Sequence, residues 1–163
     1  MATDIIFLGS SDGYSSANGT QRTVSFLMKY NDLSSIEPQL VSYFSNFVFG
    51  NTLSLKSLWE ENSYNSLNIV NNGTFGWFTL PQTQSQYGML NTTFPNLGNL
   101  LAILSDAILV AYNNGVQLSD NDRLLLFVNN WTGCCAVGSL GTWTISTPYG
   151  IRTISISWLP IWS

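Results

Sequence analysis

The sequence has no histidine among its 163 residues. That excludes a histidine-ligated zinc site and any serine nucleophile activated by an imidazole base. Cysteine is almost as scarce. Cys134 and Cys135 are the only two, and two thiols cannot complete a four-ligand metal site. One peptide unit holds their Cα atoms about 3.8 Å apart, closer than an ordinary disulfide spans. A strained vicinal bridge, a reduced pair and a bridge to a cysteine outside this sequence all stay open. Charge is also scarce: 9% of residues are Asp, Glu, Lys or Arg, against about a quarter in ordinary soluble domains. The five basic residues, Arg22, Lys29, Lys56, Arg123 and Arg152, are scattered. No basic patch awaits a phosphate backbone, which sets nucleic acid aside as a partner. No apolar run approaches the roughly 20 residues of a membrane-spanning helix. Met1–Ser10 lacks the basic start and long apolar core of a signal peptide, so a secretory signal, if used, has been removed or lies outside this sequence.

What is present points to a packed core. Hydrophobic residues make up 45% and aromatics 13%, too apolar for disorder. The length fits one domain, with an N-terminal strand and loop over 1–21 and a single α/β domain over 22–163. With so few charges, Ser, Thr, Asn and Gln must cover the surface. This composition leads us to expect an extracellular or cell-envelope protein. Four sequons, at Asn18, Asn72, Asn91 and Asn130, fall where turns or loops are predicted and are the candidate glycosylation sites.

Along the chain, Asp4–Leu8 reads as a short strand and Gly9–Gln21 as an exposed loop. Val24, Phe26 and Met28 alternate in a strand over Thr23–Tyr30. Ser34-Ser35-Ile36-Glu37 has the form of a capping box, with Pro38 in the first turn. The helix it predicts carries Ile36, Leu40, Phe44, Phe47 and Val48 on one stripe and stops at Phe49-Gly50. Ser54 caps a second helix with Leu55, Leu58 and Trp59 on one face. Asn71-Asn72-Gly73 predicts a hairpin turn between a strand at Leu67–Ile69 and another at Phe75–Leu80, which Pro81 ends. Thr93 or Asn96 caps the strongest helix, which runs to about Asn113. Arg123–Asn129 is continuously apolar, as in a strand buried on both faces. After a Gly-rich loop over Trp131–Gly141, Trp143–Thr147 and Ile151–Trp158 alternate on either side of a Pro148-Tyr149-Gly150 turn, and Pro160 ends the pattern. The order predicts an α/β fold: a mixed twisted sheet with its long helices mainly on one face.

Several chemistries reduce to plainer readings. Glu60 and Glu61 are neighbours on a helix and point about 100° apart, so a solvated or packed helix end explains them better than acid–base work. Asp120-Asn121-Asp122 lacks the rest of a calcium loop and reads as a turn. Lys29 and Lys56 sit on exposed faces, poorly placed for a Ser–Lys dyad. Of the tryptophans that could stack on sugars, alternation assigns Trp143 and Trp158 to the core, while Trp131 and Trp162 are freer.

One set of motifs is more specific. Leu27-Met28-Lys29-Tyr30-Asn31-Asp32 ends a strand. Phe49-Gly50 precedes the Ser54-Leu55-Lys56 helix, which closes on Glu60-Glu61-Asn62-Ser63-Tyr64. Gly76-Trp77-Phe78-Thr79-Leu80-Pro81 and Tyr87-Gly88 follow. Over 22–158 this succession resembles the front half of secreted zinc peptidases of the gametolysin and immune-inhibitor type. The resemblance implies a zincin-like N-terminal subdomain and a parent enzyme that hydrolyses peptide or protein substrates with zinc-activated water. Those peptidases hold zinc through H-E-x-x-H, which this histidine-free sequence lacks, so no cofactor is expected in this chain itself. The resemblance also implies a strand that pairs with substrate backbone, at Gly138, Ser139, Leu140, Gly141 and Trp143. A half-domain of that kind would bare apolar sheet and self-associate. The alternative is a non-catalytic extracellular or envelope binding or assembly protein on the same fold, with glycans among its candidate ligands.

Overall fold

The computed structural model describes residues 5–11, 18–90, 96–129, 136–138 and 141–161. Seven strands form one mixed sheet: β1 (Ile6–Ser11), β2 (Gly19–Lys29), β3 (Leu67–Thr79), β4 (Arg123–Asn129), β5 (Val137–Gly138), β6 (Thr142–Thr147) and β7 (Gly150–Ile161). Their order is β1-β6-β7-β4-β2-β3, with β5 also paired to β7. Four neighbours, β7, β4, β2 and β3, run parallel. β6 and β5 lie antiparallel to β7, and β1 antiparallel to β6. The N-terminal strand is thus an edge of the same sheet.

Three helices clothe the sheet: α1 (Val41–Phe49), α2 (Leu55–Asn62) and α3 (Leu97–Asn113). Side chains alternate along each strand and so divide between two faces. Val24, Phe26 and Met28 of β2 and Leu124, Leu126 and Val128 of β4 pack with Leu100, Ile103, Leu104 and Ala107 of α3. The intervening Leu27, Leu125 and Phe127 pack with Phe44 and Val48 of α1, bordered by Leu55 and Trp59 of α2. The helices do not gather mainly on one face as the sequence predicts: α3 covers one face alone. The two short helices take the other, so neither face of the parallel sheet is bare. β4 is buried from Leu124 to Asn129, as its unbroken apolar run predicts.

Two helix starts match their sequence signals. The Ser54 hydroxyl accepts from Ser57 N, and the Ser57 hydroxyl accepts from Ser54 N. Asn96 Oδ1 accepts from Asn99 N. The predicted capping box at Ser34–Glu37 does not form. Helix α1 begins only at Val41, and Glu37 instead pairs with Lys29 Nζ. Pro38 disfavours the helical conformation at Glu37, and the chain is non-helical over 36–40.

The Asn71-Asn72-Gly73 segment is a second correction. It makes no hairpin. β3 runs unbroken from Leu67 to Thr79, parallel to β2 throughout. Asn71 Oδ1 accepts from Gly73 N at 2.8 Å, and Gly73 has φ +109°. The local turn chemistry is real, but it produces a bulge. Thr23 faces Asn71 while Ser25 faces Thr74, and Phe26 faces Phe75 while Met28 faces Phe78. Each pair of β2 steps is matched by three in β3, so β3 carries one extra residue at each point. Within the second bulge Gly76 has φ +131°, and a methyl group there would run into the Leu27 carbonyl oxygen. Pro160 is the third correction. β7 continues through it to Ile161, because Pro160 pairs only toward β4, opposite Val128. β5 and β6 have ended by then, so its missing N–H breaks no ladder bond among the described residues.

Candidate functional site

In an open α/β sheet, ligands bind where connections diverge at the carboxyl ends of parallel strands. Here β2 leads through α1 and α2 to β3 on one side, and α3 returns the chain to β4 on the other. The carboxyl ends of β2, β4 and β7 therefore border the expected crevice. A groove of about 720 Å³ lies there on the α1 face. Pro38 and Gln39 come from the segment after β2; Tyr43, Phe44 and Phe47 come from α1. Phe127 comes from β4, and Pro160 and Ile161 from β7.

The segment before α1 is pinned by polar contacts. Asn129, fully buried at the end of β4, accepts from Tyr30 N at 3.2 Å and donates to the Ile36 carbonyl at 2.9 Å. Trp77 Nε1 donates to the Gln39 carbonyl at 2.9 Å. The rings beneath are interlocked. Phe44 meets Trp77 edge-on at 5.6 Å and Phe127 at 5.1 Å, and Phe47 meets Phe127 at 6.5 Å. Phe44 is buried, whereas Tyr43 and Phe47 are 52% and 43% exposed. The groove thus has a rigid aromatic floor and an open side. No charged side chain is among the described residues that line it.

Across the sheet, the carboxyl end of β2 carries a polar cluster. Tyr87 donates to Asp106 Oδ2 of α3 at 2.5 Å, and Gln82 Nε2 donates to the same oxygen at 3.3 Å. Asp32 accepts from Gln84 N at 3.0 Å. Burial, reinforced by the bond to Asp106, pushes the Tyr87 phenol above its ordinary value. Burial and then the charge of Asp32 do the same for Tyr30. Both phenols stay neutral; Tyr87 ties the 80–90 segment to α3 through Asp106, while the buried Tyr30 hydroxyl has no hydrogen-bond partner among the described residues and its ring packs on Tyr87 at 6.0 Å.

Of the residues expected to pair with a substrate strand, Trp143 does not lie on a free edge. Trp143 in β6 faces Ser10 of β1 on one side and Ile154 of β7 on the other. With both sides laddered, its backbone has no edge to offer, which corrects the expectation at Trp143. Gly138 in β5 faces Ser157 of β7, and Gly141 lies in the bend before β6. Ser139 and Leu140 lie outside the described residues, as do Cys134, Cys135, Asn91, Asn130, Trp131 and Trp162. Of the other sequons, Asn18 is exposed just before β2. Asn72 lies within β3, not in a turn. Its Nδ2, the atom a glycan would take, donates to Asp122 Oδ2 at 3.1 Å.

Sequence reasoning assigned Phe44 and Phe47 to a single buried stripe and left Tyr43 out of it. The missed signal is that Val41-Ser42-Tyr43-Phe44-Ser45-Asn46-Phe47-Val48-Phe49 is apolar over more than one helical face, so one apolar side must remain uncovered. Set against protein-family models and curated proteins, the chain matches none. Among the described residues no helix is long and apolar enough to cross a membrane, and no cluster of three metal-ligating side chains occurs.

Proposed function

We propose that this chain is a non-catalytic binding domain whose groove takes an extended, uncharged, apolar polypeptide segment. The supporting observation is the lining itself: four rings, Tyr43, Phe44, Phe47 and Phe127, with two prolines and no charged side chain among the described residues. Aromatic-lined grooves hold pre-extended, proline-containing segments by covering apolar surface at small entropic cost. A neutral lining gives no grip on an acidic glycan. The charge-poor, Ser/Thr/Asn-rich surface supports an extracellular or cell-envelope setting. The test is fluorescence titration of the chain, with Trp77 as reporter beside Phe44, against uncharged proline-containing peptides and neutral glycans. Saturable peptide binding, weakened tenfold or more by Phe47→Ala, is the expected result. Glycan binding with a flat peptide response would replace this reading with a glycan-binding one.

The gametolysin-type resemblance supports a second proposal, that the chain is the front part of a longer zinc peptidase. Its two strand motifs are sheet neighbours, Met28 opposite Phe78 and Lys29 opposite Thr79. On that reading the zinc ligands and the catalytic glutamate belong to sequence outside these residues. The purified chain should then cleave no peptide with zinc added, and zinc-dependent hydrolysis by it would overturn the proposal.

A further inference from the structure

Four of the five basic residues are occupied. Arg22 Nε lies 3.3 Å from Asp122 Oδ1, Lys29 pairs with Glu37, and Lys56 pairs with Glu60. Arg152 donates to the main-chain oxygens of Leu118, Tyr149 and Ile151. Arg123 is different. Its Nε donates to Gln21 Oε1 at 2.7 Å, a neutral amide, and its two Nη atoms have no acceptor among the described residues. The side chain is half-buried, and burial pulls its guanidinium below the ordinary arginine value. A cation desolvated without a counter-charge is a cost that folding leaves standing.

The neighbours of Arg123 are hydroxyls. In the sheet it faces Thr23 of β2 on one side and Ser155 of β7 on the other. One pleat further on, Ser25 faces Leu125. Register partners point to the same face, about 4.8 Å apart. Thr23 and Ser25 are fully buried, and neither the Thr23 Oγ1 nor the Ser25 Oγ has a hydrogen-bond partner. Buried hydroxyls of this kind call for a water or a ligand. Alternation puts Arg22 and Asp122 on the opposite face, so they do not neutralise Arg123. Glu60 lies beyond β3, held by Lys56 Nζ and Ile69 N.

We propose that Arg123, with the hydroxyl of Thr23 beside it and Ser155 opposite, forms a binding site for a small oxyanion at the amino end of β4, beside the middle of β2. The free Nη edge of the guanidinium matches two oxygens of a phosphate, sulfate or carboxylate, and the Thr23 hydroxyl supplies a further donor. The site shares a sheet face with the aromatic groove but lies at the other end of β4, and it stands independently of the groove's ligand.

The test uses the full chain at fixed ionic strength, exchanging chloride for inorganic phosphate, sulfate or acetate. Thermal unfolding and amide NMR shifts are recorded together. The site predicts a rise in Tm of about 5 °C near saturation, with shifts centred on 21–25, 123 and 155. Gln21→Glu places a carboxylate on Arg123 and should abolish the anion dependence while the protein stays folded. Thr23→Val should weaken binding about tenfold. Preference for phosphate and sulfate over acetate would identify a tetrahedral ligand group, and the reverse a carboxylate. An equal response to chloride, an unchanged response in Gln21→Glu, or shifts scattered away from Arg123 would overturn the proposal.

Discussion

Trp158→Ala is expected to cost about 4 kcal/mol of stability, the scale of deleting a buried indole from a core. Trp158 is 2% exposed and lies in the cluster that joins β7 to α3. Its Nε1 also donates to the Leu100 carbonyl at 3.3 Å, near the start of α3. Alanine would leave a cavity too well braced by Leu100, Leu104 and Leu126 to collapse, and would unpair that carbonyl contact. Urea unfolding followed by circular dichroism measures the effect: the midpoint should fall sharply with the slope unchanged. A loss below about 1 kcal/mol would mean that the site repacks, against the braced core described above. Trp158→Phe should recover most of the loss, since the ring fills most of the volume and only the weak Nε1 bond is missing.

Asp122→Ala is expected to cost about 3 kcal/mol, and Asp122→Asn no more than about 1. The Asp122 side chain is fully buried. It accepts from Ser119 N at 2.7 Å and from Asn72 Nδ2 at 3.1 Å, tying β3 to the turn before β4. Arg22, 45% exposed, adds an ion-pair contact. Alanine leaves a main-chain N–H and an amide without an acceptor; asparagine keeps the acceptor and loses only the charge. Burial outweighs the donors and Arg22, and holds this carboxyl above its ordinary value of 3.8. The unfolded chain therefore releases this proton at lower pH than the folded one. Stability from this group is complete below the ordinary value and declines as pH climbs through the folded one. The stability of the wild type relative to Asp122→Asn should shrink as pH rises across that window. A widening difference would mean that Arg22 stabilises the anion more than burial penalises it.

These two residues mark the reach of sequence reasoning. Trp158 was legible because β7 alternates strictly, Ile154, Ile156 and Trp158 inward against Ser155 and Ser157, and the β6–β7 hairpin and α3 were legible for the same reason of period. Asp122 was legible only as a turn residue. Its burial depends on Arg22 and Asn72, which are 100 and 50 positions away in the chain, and nothing local encodes that meeting. Asn71-Asn72-Gly73 misled because the same Asx turn that closes a hairpin also makes a bulge; which one forms depends on whether β2 is there to pair with both sides of it. The aromatic groove was hidden for a related reason. Helical spacing says that Phe44 and Phe47 share a side of α1, but only the placement of Trp77 in β3 and Phe127 in β4 covers Phe44 while Phe47, reached by Phe127 alone, is left half open. Arg123 was invisible as a site, since its isolation from carboxylates is a statement about space alone.

The two extra residues in β3 have a consequence for molecules that meet one another. β3 is one of the sheet's two outer strands, and its outward edge is a place where a like chain could dock and repeat. In-step pairing there can run only along Leu67–Asn71 before the first extra residue throws the spacing off, and the second follows within four positions. Along this edge such molecules can brush against one another without templating a growing stack, which suits a protein with so few charges to keep its copies apart.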